Sequence, residues 1–121
     1  MKRLACLMFL GLSACLTMPK PHDPVLVVRL QGAITLFGGT CGVKGYRTEW
    51  RSDSGGMIYL RDRHKPGYQP FVVTRYVVDC GHETAYFVEL AESEAIEPWA
   101  MKCDHHTQAL LGGGCTVLHL N

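Results

Sequence analysis

The chain has 121 residues, enough for one small domain with a single core. Its formal charge is +1 and its sequence pI about 7.7. A balance this close to neutral argues against a general nucleic-acid binder, whose footprint is strongly basic.

The chain opens with the basic residues Lys2 and Arg3. Nine uncharged residues follow (4–12, LACLMFLGL), then the small pair Ser13-Ala14, then Cys15. Basic, apolar, small is the order of an export signal. A nine-residue helix rises about 14 Å, against roughly 30 Å of hydrocarbon, so the segment is too short to span a bilayer. The run Leu12-Ser13-Ala14-Cys15 resembles the lipobox of bacterial lipoproteins. That resemblance implies a signal peptide over 1–14, cleaved before Cys15, whose thiol carries diacylglycerol and whose new amine is often acylated. One acyl chain holds a membrane only marginally, and two or more hold stably. By the family's sorting rule, Leu16 in place of Asp favours the periplasmic face of the outer membrane in a Gram-negative host. Removing the signal takes the formal charge from +1 to −1.

Residues 15–24 form the expected tether, with Pro19, Pro21 and Pro24 and no periodicity. Residues 25–121 form the expected domain, and its signals are those of strands. Residues 25–30 (VLVVRL) are rich in β-branched side chains, and 32–37 continue the pattern up to Gly38-Gly39. Residues 43–51 alternate, with Tyr46, Thr48 and Trp50 on one side and Arg47, Glu49 and Arg51 on the other. The turn chemistry of 52–56 (SDSGG) leads into a second alternating run, 57–63, and the two read as a hairpin. Residues 71–78 are apolar on both faces, as a covered central strand requires. Residues 84–90 place Tyr86, Val88 and Leu90 on one face. Residues 91–95 are the one expected helical stretch, limited by Pro98, and 115–120 read as a closing strand. Together they predict an all-β domain, a small antiparallel sandwich or barrel of six to seven strands.

Six cysteines are present. Cys6 leaves with the signal and Cys15 takes the lipid, so Cys41, Cys80, Cys103 and Cys115 remain. An even number in an exported domain reads as two disulfides, with three possible connectivities. Gly112-Gly113-Gly114 lets the chain turn back before Cys115, which favours Cys103–Cys115 and leaves Cys41 for Cys80.

The same residues hold another pattern. Cys80-x-His82 and Cys103-x-x-His106 resemble the ligand set of Rieske iron–sulfur proteins, which implies two thiolates on one iron and two imidazoles on the other. Zinc or copper is a softer version, and His82, His105 and His106 form a set free of sulfur. The export signal lacks a twin arginine, which implies export of an unfolded chain into an oxidising compartment. Disulfides then take the sulfurs, and no cofactor is expected.

No residue set forms a catalytic constellation, and the chain is not expected to be an enzyme. The acidic run Glu89, Glu92, Glu94 and Glu97 reads as a solvated face. In the expected hairpin, Arg47 faces Arg61, with Arg51, Arg63, His64 and Lys65 nearby. Like charges opposed in a sheet are destabilising, and an anionic partner relieves that cost. Arg47, Arg51, Arg61 and Arg63 are therefore the candidate anion site.

The sequence reads as a lipid-anchored envelope protein, attached to the membrane through Cys15. It acts as a structural or partner-binding module for an envelope protein or an anionic envelope component. A second expectation is an inhibitor of a periplasmic enzyme. The membrane-bound lysozyme inhibitors are similar in being small disulfide-bonded β-barrel lipoproteins, and Ser54-Gly55 with Tyr59 falls one residue off their S-G-x-x-Y spacing. A third is a metal or redox protein using Cys80, His82, Cys103 and His106.

Overall fold

The computed structural model describes residues 23–111 and Cys115. The signal segment, Cys15, most of the expected tether and all but the first residue of the expected closing strand lie outside them. The elements in order are α1 (Pro24–Leu36), β1 (Gly45–Ser52), α2 (Gly56–Asp62), β2 (Val73–Gly81), β3 (Thr84–Ala91), β4 (Trp99–Cys103) and α3 (His105–Leu111).

The four strands form one antiparallel sheet in sequence order, β1-β2-β3-β4. Helix α1 covers one face, where Leu30, Ala33 and Ile34 pack with Val78, Val88, Leu90 and Ala100. The other face carries Val73, Val77, Ala85, Phe87 and Trp99, packed with Ile58 of α2. Leu111 of α3 and Cys115 join that cluster at its edge. Both faces of β2 and β3 are thus buried. That is why β2 reads as a continuous apolar run while Tyr86, Val88 and Leu90 still share one face.

The antiparallel sheet and the disulfide staples agree with the sequence reading. The all-β class and the closed barrel or two-sheet sandwich do not. Among the described residues there are four strands rather than six or seven, in one open sheet with helices on both sides. The described residues therefore do not form the barrel of the lysozyme inhibitors.

Residues 25–30 and 32–37, read as strands, are one helix. Asp23 sits at its N-cap and accepts from the Val25 amide (2.9 Å), and Pro24 follows in the first turn. Pro at that position has a pre-set φ and no amide left unpaired. Those two residues outweigh the modest helix penalty of the β-branched run. Pro24 consequently belongs to α1 rather than to the tether.

Residues 57–63, read as the second hairpin strand, belong to helix α2 and the residue capping it. Strand β1 pairs instead with β2, placing Arg47 opposite Val77 and Arg51 opposite Thr74. A bulge between Thr48 and Trp50 shifts the register. Beyond it the alternation inverts, so Trp50 shares the α2 face with Arg47, and Arg51 shares the α1 face with Thr48. Residues 92–95 are bend and turn rather than helix, while Ala91 ends β3.

Two disulfides, Cys41–Cys80 and Cys103–Cys115, close the structure, with Cα separations of 5.3 and 6.0 Å. The first ties the segment after α1 to the end of β2, and the second ties β4 to the chain beyond α3. Their sequence separations are 39 and 12 residues. On the loop-entropy model, the longer closure restrains the unfolded chain more, by about 1 kcal/mol. Replacing Cys41 and Cys80 by Ala should therefore lower the urea midpoint further than replacing Cys103 and Cys115. Peptide mapping under non-reducing conditions should recover these two pairs alone.

Candidate functional site

One row of side chains crosses the sheet on the α2 face: Trp50 opposite Arg75, Arg75 opposite Glu89, Glu89 opposite Trp99. Glu89 is fully buried. It accepts from Arg75 Nε (2.9 Å) and Nη2 (2.7 Å), and from the amides of Met57 (3.0 Å) and Ile58 (2.9 Å). Gly55, before α2, offers no side-chain cap, so Glu89 satisfies the first amides of that helix from across the core. The Arg75 guanidinium lies 4.9 Å from the Trp50 ring centroid, 5.4 Å from Phe87 and 5.8 Å from Trp99. Gly56 has φ +91°, and a Cβ there would strike the Trp50 ring and come within 2.8 Å of both Glu89 oxygens. The acidic run of the sequence is thus split. Glu89 is an internal structural carboxylate, and Glu92, Glu94 and Glu97 are exposed.

Glu49 stands at the bulge beside this row, its Oε1 buried and without a hydrogen-bond partner among the described residues. Arg75 Nη1 is 3.8 Å away, too far for a hydrogen bond. Burial raises the Glu49 pKa, opposed by the positive charges of Arg75 and Arg47. Arg61 is fixed by a bidentate pair with Asp62 (2.8 and 3.0 Å) and by the carbonyls of Glu97 (2.7 Å) and Pro98 (3.1 Å). That arrangement pins α2 to the β3–β4 connection. The Arg61 hydrogen bond and Lys65 pull the Asp62 pKa down to about 2, against the effect of burial.

These contacts dismantle the anion site read from the sequence, because its hairpin does not exist. Arg61 is committed to Asp62 and two carbonyls. Arg63 lies over the Tyr59 ring and contacts His64. Arg47 is on the α2 face near Glu49. Arg51 is on the α1 face, where it lines a small pocket of about 160 Å³ with Arg29, Thr74, Tyr76 and Glu92. Arg29 also donates to the Ala91 carbonyl (2.9 Å), and Glu92 accepts from the Val72 amide (3.1 Å).

The cysteine–histidine ligand sets fare no better. Cys80 and Cys103 are in different disulfides, so neither offers a thiolate. His82 is in the β2–β3 turn, and His105 and His106 open α3 beyond β4. Among the described residues no three His, Cys, Asp or Glu side chains converge to hold a metal.

A different basic site emerges at the opposite end of the α1 face. The register puts Lys44, Cys80, Thr84, Tyr86 and Lys102 on the side of the sheet that α1 covers, past the end of that helix. They line a cavity of about 440 Å³ with Thr40, Gly42 and His82. Lys44, Lys102 and His82 are exposed, three hydroxyls surround them, and among the described residues no carboxylate lines the cavity. The Cys41–Cys80 bridge forms part of its wall. Gly39 brings the chain close against Tyr86, since a Cβ there would lie 2.6 Å from the Tyr86 hydroxyl. The turn at its edge holds His82 and Glu83 at φ 53° and 59°, an uncommon conformation for residues other than Gly. Sequence reasoning missed the two lysines because β4 was unread and β1 was paired with the wrong partner. Their one local signal is proximity to cysteines that the fold brings to the same end of the sheet.

No family model, curated protein or solved structure matches this chain.

Replacing Glu89 by Gln leaves Arg75 charged in the core without its carboxylate, and should cost about 3–5 kcal/mol in denaturant unfolding. Glu49→Gln should be neutral or stabilising at pH 7. A carboxyl whose folded pKa is raised by burial is least favourable when ionised. Asp62 behaves oppositely. Its folded pKa lies below the ordinary 3.8, so its contribution is complete above that value and is lost as pH falls toward 2. Asp62→Asn should flatten this acid limb in thermal melts taken across pH.

Proposed function

We propose that this chain is a lipid-anchored envelope protein, held to the membrane by Cys15, which binds an anionic envelope component in the basic cavity. The reading assigns it partner binding rather than catalysis. If the host is Gram-negative, it sits on the periplasmic face of the outer membrane. The observation that carries the binding is the lining of the 440 Å³ cavity: Lys44, Lys102 and His82 with three hydroxyls and, among the described residues, no carboxylate. Two disulfides in so short a chain support an oxidising destination, in keeping with the lipobox and the export signal.

An anion in the cavity gains two ammonium contacts and hydroxyl donors without displacing an internal ion pair. Exposed ion pairs contribute about 0.2–1 kcal/mol each. The double variant Lys44→Gln, Lys102→Gln should therefore bind phosphatidylglycerol vesicles, lipopolysaccharide or acidic wall fragments more weakly by up to roughly thirtyfold at low salt. Its binding should also vary less with salt. Equal binding by the variant and the parent, for all three probes, would remove the cavity from the reading.

A further inference from the structure

Helix α1 is apolar on more than the side that faces the sheet. Leu30, Ala33 and Ile34 are buried beneath it. On its outer side Val25 is 64% exposed, Val28 70% and Leu36 58%, and Phe37, just past its end, 41%. At helical spacing Val25, Val28, Gly32, Thr35 and Leu36 fall in one arc of about 100°. The helix has no acidic residue, and its one charge, Arg29, lies at the edge of the arc. Isolated exposed apolar residues are ordinary, whereas an aligned outer stripe on a helix already apolar beneath calls for a cover.

The anchor proposed above says what covers it. Cys15 is eight residues from Asp23, the α1 N-cap, so the lipid and the helix are at most about 28 Å apart even with the chain fully extended. The basic cavity lies on the same side of the sheet as α1, past its C-terminal end, and its lysines complement anionic headgroups. We infer that the outer face of α1 docks onto the bilayer that holds the lipid, with Val25, Val28 and Leu36 entering the headgroup–acyl boundary. Lys44 and Lys102 then meet the phosphates of anionic lipids. The inference rests on lipidation at Cys15. It gives the anchored protein a fixed orientation, with α1 toward the membrane and α2 away from it.

The test uses the full lipid-bearing protein in phosphatidylethanolamine–phosphatidylglycerol vesicles, with tryptophan placed at Val28 or, as an outward control, at Ser54 in the β1–α2 turn. Both positions are exposed, so neither substitution disturbs a core. Brominated acyl chains should quench the emission added by Val28→Trp, shift it to the blue and leave that of Ser54→Trp unchanged. Replacing phosphatidylglycerol by phosphatidylcholine, or combining Val28→Trp with Lys44→Gln and Lys102→Gln, should lessen the quenching. Intact mass on the same samples reads the lipid independently. Lipid present with no quenching at Val28, or with equal quenching at both positions, overturns the docking and leaves the anchor standing. A blue shift without quenching, accompanied by a dimer in sedimentation, assigns the face to a second copy and also overturns it. Absence of the lipid mass overturns the anchor and this inference with it.

Discussion

The Glu89 carboxylate is the constraint on which the rest depends. A fully buried anion is tolerated only when its oxygens are occupied and its charge is met, and Glu89 achieves this by drawing on two other elements. Arg75 of β2 supplies the opposite charge, and the first amides of α2 supply the remaining donors. Aromatic rings from β1, β3 and β4 then enclose the guanidinium. One row of side chains thereby fixes the register of all four strands and the seat of one helix. Such a centre adds little net energy over a well-packed apolar core, but it is costly to half-assemble. It penalises a slip in register more sharply than hydrophobic burial does.

That row also explains where the sequence misleads. Residues 57–63 alternate and follow a turn, so locally they resemble a strand. They become a helix because a carboxylate 32 residues beyond Met57 meets their amides, and no local pattern carries that information. The bulge at Glu49 has the same character, since it inverts the outer half of β1 and moves Trp50 over Arg75. Helix α1 is a different case. Asp23 followed by Pro24 is a start signal readable in the chain, and the run of Val and Leu after it obscured the signal. Strand β4 has five residues, two of them exposed, which leaves little periodicity to read.

What was legible was the covalent and central part. The glycine run before Cys115 and the even cysteine count lead to the observed pairing. The apolar run of β2 and the one-faced alternation of β3 mark the middle of the sheet. Of the arginines read as an anion site, Arg51 lines a small pocket on the α1 face, and the four do not converge because they were grouped by a hairpin that does not form. The basic cavity depends on Lys44 and Lys102, which are 58 positions apart and come together only through β1-β2-β3-β4 order. A site assembled from both edge strands of a sheet is invisible until the order of the strands is known.

The Cys41–Cys80 bridge has a consequence for when this protein matures. The cavity wall is built from two distant pieces, the segment leaving α1 and the end of β2, and the bridge is their covalent join. Before oxidation the two pieces are held by packing and by backbone hydrogen bonds such as that from the Lys44 amide to the Asp79 carbonyl (2.8 Å). A chain with both thiols reduced therefore has its lysines but not the covalent frame that sets them around one volume. Completion of the cavity is then coupled to redox conditions: a reducing setting leaves the frame open, and an oxidising one closes it.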